Sequence, residues 1–66
     1  MRSDKEIIAF KIGARARKLA NEDCVVEGYE LLLTTALEVT ESGDSEMESL
    51  LHREIEKYES KYLNVE

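Results

Sequence analysis

Met47, Leu51, Ile55, Tyr58, Tyr62 and Val65 follow one another at steps of four, four, three, four and three. Such spacing closes on one side of a helix and cannot make one face of a strand, whose side chains alternate. A single apolar stripe has to be covered, so the chain must supply further amphipathic helices or borrow them from a partner. It does supply them.

Before this third helix, about 46–62, the pattern predicts a second over about 25–41. Rotating by about 100° per residue puts Val25, Val26, Tyr29, Leu32, Leu33, Ala36, Leu37 and Val39 on one broad face. Glu27, Glu30, Glu38 and Glu41 fall opposite with Thr34, and Leu31, on that side, is expected to be exposed. A first helix over about 4–20 divides into four stripes. Ile8, Ile12 and Leu19 form the main apolar stripe, and Ala9, Gly13, Ala16 and Ala20 a small-residue stripe beside it. Lys11, Arg15 and Lys18 form a cationic stripe, and Ile7, Phe10 and Ala14 a second apolar patch near Arg17.

Boundary signals agree with three helices. Ser3 with Glu6, and Ser45 with Glu48, are capping boxes for the first and third. Asn21 suits a left-handed stop, Asp23 can cap the second helix, and Gly43 suits its end. A glycine inside a helix costs about 1 kcal/mol relative to alanine. Gly13 is explained if a neighbouring backbone approaches the small-residue stripe; Gly28 lies in a first turn, where the cost is small. Arg53 with Glu56, and Glu54 with Lys57, read as surface pairs at i,i+3. Tyr29, Tyr58 and Tyr62 read as core-edge residues with hydroxyls in water. The expectation is one all-α domain over 1–66, a three-helix bundle.

Composition restricts what such a bundle does. With 66 residues, one cysteine (Cys24) and one histidine (His52), neither a disulfide within the chain nor a closed Cys/His zinc site can form. Small domains bury a modest share of their surface, which favours self-association or a partner. The longest apolar runs fall far short of a membrane span and the first residues are polar, so neither membrane nor signal segment is expected. The lone thiol fits a reducing compartment, giving a cytoplasmic expectation.

The net charge of −6 is unevenly laid out. Residues 1–20 carry six cations and two acids, net +4; residues 21–66 carry three cations and thirteen acids, net −10. A nucleic-acid domain shows a basic field over a whole face, often with stacking aromatics. Three cations on one stripe of an acidic molecule do not make one, so direct nucleic-acid binding is not expected. His52 with Glu48 and Glu56 one turn away reads as a surface histidine, and Cys24 has no histidine nearby in sequence. No phosphate-binding glycine loop or nucleophile elbow is present. Catalytic residues, metal ligands and cofactors are therefore all expected to be none.

Two protein-binding surfaces remain. Ile7, Phe10, Arg15 and Arg17 are the candidate partner contacts, since apolar residues on two sides of the first helix exceed what a bundle needs; self-association is one form this could take. The acidic face of Glu27, Glu30, Glu38 and Glu41 is a solubilising surface or a DNA mimic, because carboxylates one helical turn apart approach phosphate spacing.

The stretch AFKIGARARKLA resembles the signature helix of the omega-type small subunit of RNA polymerases, through Ile12, Gly13, Ala14, Arg15, Ala16 and Leu19. ALEVTESG continues the likeness with Ala36, Leu37, Glu38 and Gly43, so that it covers residues 9–43. The pattern departs at Val39, where that family has an acid, and at Thr40, where it has an aliphatic residue. The resemblance implies a non-catalytic accessory subunit of transcription machinery, with Arg15 and Ala16 at the interface with the largest subunit. The second expectation, from the acidic face, is a phage-type inhibitor of a DNA-binding protein. Both are small acidic regulators acting by protein binding.

Overall fold

Each helix starts or stops where local chemistry satisfies its free backbone groups. In the computed structural model, which describes residues 3–63, α1 runs Asp4–Asn21, α2 Val25–Ser42 and α3 Ser45–Tyr62. Ser3 caps α1: its hydroxyl accepts the Glu6 N–H at 3.2 Å while the Glu6 carboxylate accepts the Ser3 N–H. The α1–α2 turn differs from expectation. Asn21 stays helical and Asp23 takes the left-handed conformation at φ 65°. Asp23 is thus committed to the turn, and Cys24, the N-cap of α2, offers no side-chain hydrogen bond. The turn is closed instead by the Cys24 N–H on the Leu19 carbonyl at 2.8 Å.

Gly43 ends α2 as expected, at φ 81°. Its N–H bonds to the Thr40 carbonyl and the Asp44 N–H to Val39, which together close off the last turn. The expected Ser45–Glu48 box does not form. Asp44 caps α3 one residue earlier, accepting the Met47 N–H at 3.1 Å and the Lys5 ammonium of α1 at 3.1 Å. The Glu48 carboxylate is engaged by the Thr40 hydroxyl of α2 at 2.9 Å. A cation from α1 and a hydroxyl from α2 together favour the earlier cap.

All three helices pack against one another in an all-α three-helix bundle. Eighteen residues span about 27 Å, and the longest dimension is 31 Å, so the bundle is one helix length long. The buried residues of α1 are the small Ala9, Gly13, Ala16 and Ala20, which lets its backbone approach the other two helices. Leu32 of α2 and Leu51 and Tyr58 of α3 fill the space so opened. Ile12 and Ala36 pack on both the Leu32–Tyr58 cluster and the Ala9–Met47–Leu51 cluster, joining them. The α3 stripe is buried from Met47 through Tyr58; Val65 lies outside the described residues.

Gly28 matters more than its place in the first turn suggests. A methyl there would meet the Tyr58 hydroxyl at 2.5 Å and the Ala16 carbonyl oxygen of α1 at 2.6 Å. This close approach of α1 and α2 favours the observed rotation of α2. Gly28, Leu32, Ala36 and Val39 face inward, and Leu31 is partly buried against the core instead of exposed. Val26, Leu33 and Leu37, expected in the core face, lie outside. Ile8 of the expected main stripe of α1 is also exposed, because the small-residue stripe took the seam.

Tyr58 is a core residue, not an edge one. Its hydroxyl donates to the Val25 carbonyl at 2.6 Å, and its ring lies against Tyr29 and Tyr62. Burial raises its phenol pKa above 10.0. Tyr29 donates to the Glu59 carboxylate, and that bond, with some burial, raises its pKa too. Only the Tyr62 hydroxyl sits in an exposed setting, 3.5 Å from the Asn21 side chain.

Candidate functional site

The outer surface sorts by helix flank. On α3, Leu50, Arg53, Lys57 and Lys61 share the flank towards α1, where Glu54 meets Arg17. The opposite flank carries Glu48, His52 and Glu59, with Thr40 and Tyr29 of α2 bonded to its acids. All three cations of α3 thus line the α1–α3 side, while α2 holds four acids and no cation. Sequence position hid this division, since acids and bases alternate along α3.

The α1–α3 side holds an open cleft of about 200 Å³. It is lined by Glu6, Ala9 and Phe10 of α1 and by Leu50, Arg53, Glu54 and Lys57 of α3. Glu54 was expected at the surface, yet its side chain is 8% exposed. It is drawn inward because Arg17 Nη1 donates to its Oε1 at 3.1 Å, Lys57 approaches Oε2 at 3.5 Å, and Gly13 leaves room for the carboxylate. Unpaired, a carboxylate so buried would be strongly disfavoured. Gly13 therefore has the packing role expected of it, but what fills the space is a side-chain carboxylate, not another backbone.

The four candidate partner contacts divide accordingly. Ile7 and Phe10 are exposed. Arg17 is engaged within the chain, by Glu54 and by the Phe10 ring at 5.4 Å. Arg15 is exposed but lies about 140° around the helix from Phe10, on the flank towards α2. Ala16, paired with Arg15 in the polymerase resemblance, is fully buried.

Glu27, Glu30, Glu38 and Glu41 are all exposed on the outward side of α2, as their pattern predicts. Beside them, on the flank towards α3, stand Val26, Leu33 and Leu37, 42% to 63% exposed, which the sequence pattern places inside. Val26, Glu30, Leu33 and Leu37 form one continuous stripe at i, i+4, i+7 and i+11. The signal for it lay in the excess of apolar residues on α2, too many for one face.

Reactive groups are quiet. His52 is exposed, and among the described residues no three His, Cys, Asp or Glu side chains converge where a metal ion could sit. Burial first, and then Glu27, hold the Cys24 thiol above its ordinary pKa of 9.0, away from thiolate chemistry. Among the described residues no helix is long and apolar enough to cross a membrane. Comparison with protein-family models, with curated proteins and with solved structures finds no match.

Proposed function

We propose that this chain works by binding another protein, as a small acidic, non-enzymatic regulator or accessory subunit. One observation carries the reading. Among the described residues six large apolar side chains stay exposed on a bundle this small: Ile7, Ile8 and Phe10 on α1, and Val26, Leu33 and Leu37 on α2. Three of them, Val26, Leu33 and Leu37, fall along one stripe of α2 flanked by acids, and apolar surface grouped and rimmed in this way marks an interaction face. The resemblance of residues 9–43 to the omega-type subunit makes transcription machinery the specific form of the proposal, with Arg15 as the member of the Arg15–Ala16 pair within reach of a partner. The intracellular setting belongs to the same proposal.

Affinity capture from the source cell tests it. The wild type should retain a defined protein assembly, and Phe10→Asp or Arg15→Glu should lose it while the circular dichroism spectrum is unchanged. Equal retention by both variants would remove α1 as the contact.

The outward display of Glu27, Glu30, Glu38 and Glu41 supports a second reading, an acidic inhibitor that imitates DNA. Binding would then fall steeply with salt, compete with DNA, and be lost on reversal of Glu27, Glu30 or Glu38. Val26, Leu33 and Leu37 favour the first reading, because a phosphate backbone offers nothing for three exposed aliphatic side chains to match.

A further inference from the structure

We infer that the acidic apolar face of α2 is a docking surface for the basic outer face of α1 in a second copy of this chain. The inference rests on the reading of these faces as protein-binding and names the occupant.

Two stripes on the page fit each other. On α1, Ile7, Lys11, Ala14 and Lys18 stand at i, i+4, i+7 and i+11 and point away from the seam of Ala9, Gly13, Ala16 and Ala20. On α2, Val26, Glu30, Leu33 and Leu37 stand at the same offsets, with Glu41 one turn further on. Each run covers about 16 Å of helix. In parallel register Ile7 meets Val26, Lys11 meets Glu30, the small Ala14 leaves room for Leu33, and Lys18 reaches between Leu37 and Glu41. Among the described residues Lys11, Lys18, Glu30 and Glu41 take part in no ion pair, so their charges are uncommitted within the chain.

Shape agrees with charge. Where three helices pack pairwise, the outer ridge of one lies across the bundle from the groove between the other two. The α1 ridge therefore lies opposite the α2–α3 side, on which Val26, Leu33 and Leu37 fall, flanked by Glu48 and Glu59 of α3. Ridge and groove on opposite sides of one molecule make a head-to-tail contact, which leaves one face of each kind free at the ends of a chain of copies. A standard interface takes about 800 Å² from each partner, about one sixth of the 4834 Å² surface here. A single helix face offers less, so the association belongs with weak, reversible ones.

The test is a charge swap followed by sedimentation velocity over about 10 μM to 1 mM, in low and high salt. The wild type should rise from the 7.6 kDa monomer to at least twice that mass with concentration. K11E/K18E alone and E30K/E41K alone should stay monomeric, with circular dichroism showing both folded, since all four positions are exposed. Mixed, the two variants should co-sediment, because acid-on-α1 then faces base-on-α2 at one junction and the native pairing returns at the next. Leu37→Asp should abolish association in any mixture. A wild type that stays monomeric throughout, or variants that do not rescue each other, would overturn the proposal. If the wild type is monomeric yet still captures its cellular assembly, this inference falls while protein binding stands.

Discussion

Gly28→Ala offers a test in which ordinary helix propensity and the observed packing disagree in sign. An alanine in a helix interior is better than glycine by about 1 kcal/mol, which is the upper bound for Gly28 in the first turn of α2. At Gly28 the added methyl would sit 2.5 Å from the Tyr58 hydroxyl and 2.6 Å from the Ala16 carbonyl oxygen. Neither neighbour moves freely. The hydroxyl is held by the Val25 carbonyl at 2.6 Å inside the core, and the carbonyl belongs to the α1 backbone. Overpacking of this kind costs about 1–3 kcal/mol, and losing the buried tyrosine hydrogen bond costs about 1 more. Set against the propensity gain, the net loss is about 1–3 kcal/mol. For a domain of this size each kcal/mol moves Tm by about 4–8 °C, so a fall on the order of 5–20 °C is expected. Thermal unfolding followed by circular dichroism measures it. In a Tyr58→Phe background the hydroxyl clash disappears and the carbonyl clash stays, so Gly28→Ala should still destabilise, by less. A Tm that rises by several degrees in the wild-type background would refute the α1–α2 contact described here.

Four further outcomes follow from side-chain contacts. Glu54→Ala should cost roughly 2 kcal/mol, below the range for a fully buried pair because Arg17 keeps 28% exposure. Gly13→Ala should destabilise the wild type, since its methyl displaces the Glu54 carboxylate, yet stabilise the Glu54→Ala variant by about 1 kcal/mol; urea unfolding of the four proteins reads the change of sign, and equal signs would count against it. The Met47 amide, and then the Lys5 ammonium, hold the Asp44 carboxyl below 3.8. A depressed folded pKa means that its stabilisation is complete above the ordinary carboxylate value and is lost as pH falls through the lower folded value. The Tm gap between wild type and Asp44→Asn should therefore be steady at neutral pH and close in acid, and a gap that widens in acid would contradict the assignment. Tyr29, raised above 10.0 by its bond to Glu59, should ionise at lower pH in Glu59→Gln, as followed by phenolate absorbance. Its bond contributes fully below pH 10 and is lost as pH rises through the raised value, so no shift on that substitution would mean the bond is not formed.

Sequence alone determined what depends on residues close in the chain. Three helices, their approximate limits, the Ser3–Glu6 box, the Gly43 stop and the α3 stripe from Met47 to Tyr58 all rest on spacing and on caps within a few residues. The exposed acids of α2, and Ile7 and Phe10 on the outside of α1, were legible for the same reason. Tertiary structure decided every question in which two faces competed. Apolar residues cover so much of α2 that several rotations bury a similar amount, and only the close approach at Gly28 selects the one that hides Leu31 and exposes Val26, Leu33 and Leu37. Glu54 reads as a surface acid until Arg17, 37 residues away in sequence, draws it under α1. Asp44 outcompetes Ser45 as a cap with the help of Lys5, 39 residues distant. Periodicity reports how many residues could face inward. Which of them do is settled by contacts between helices, where a missing methyl or a distant cation outweighs the small differences in propensity among neighbouring residues.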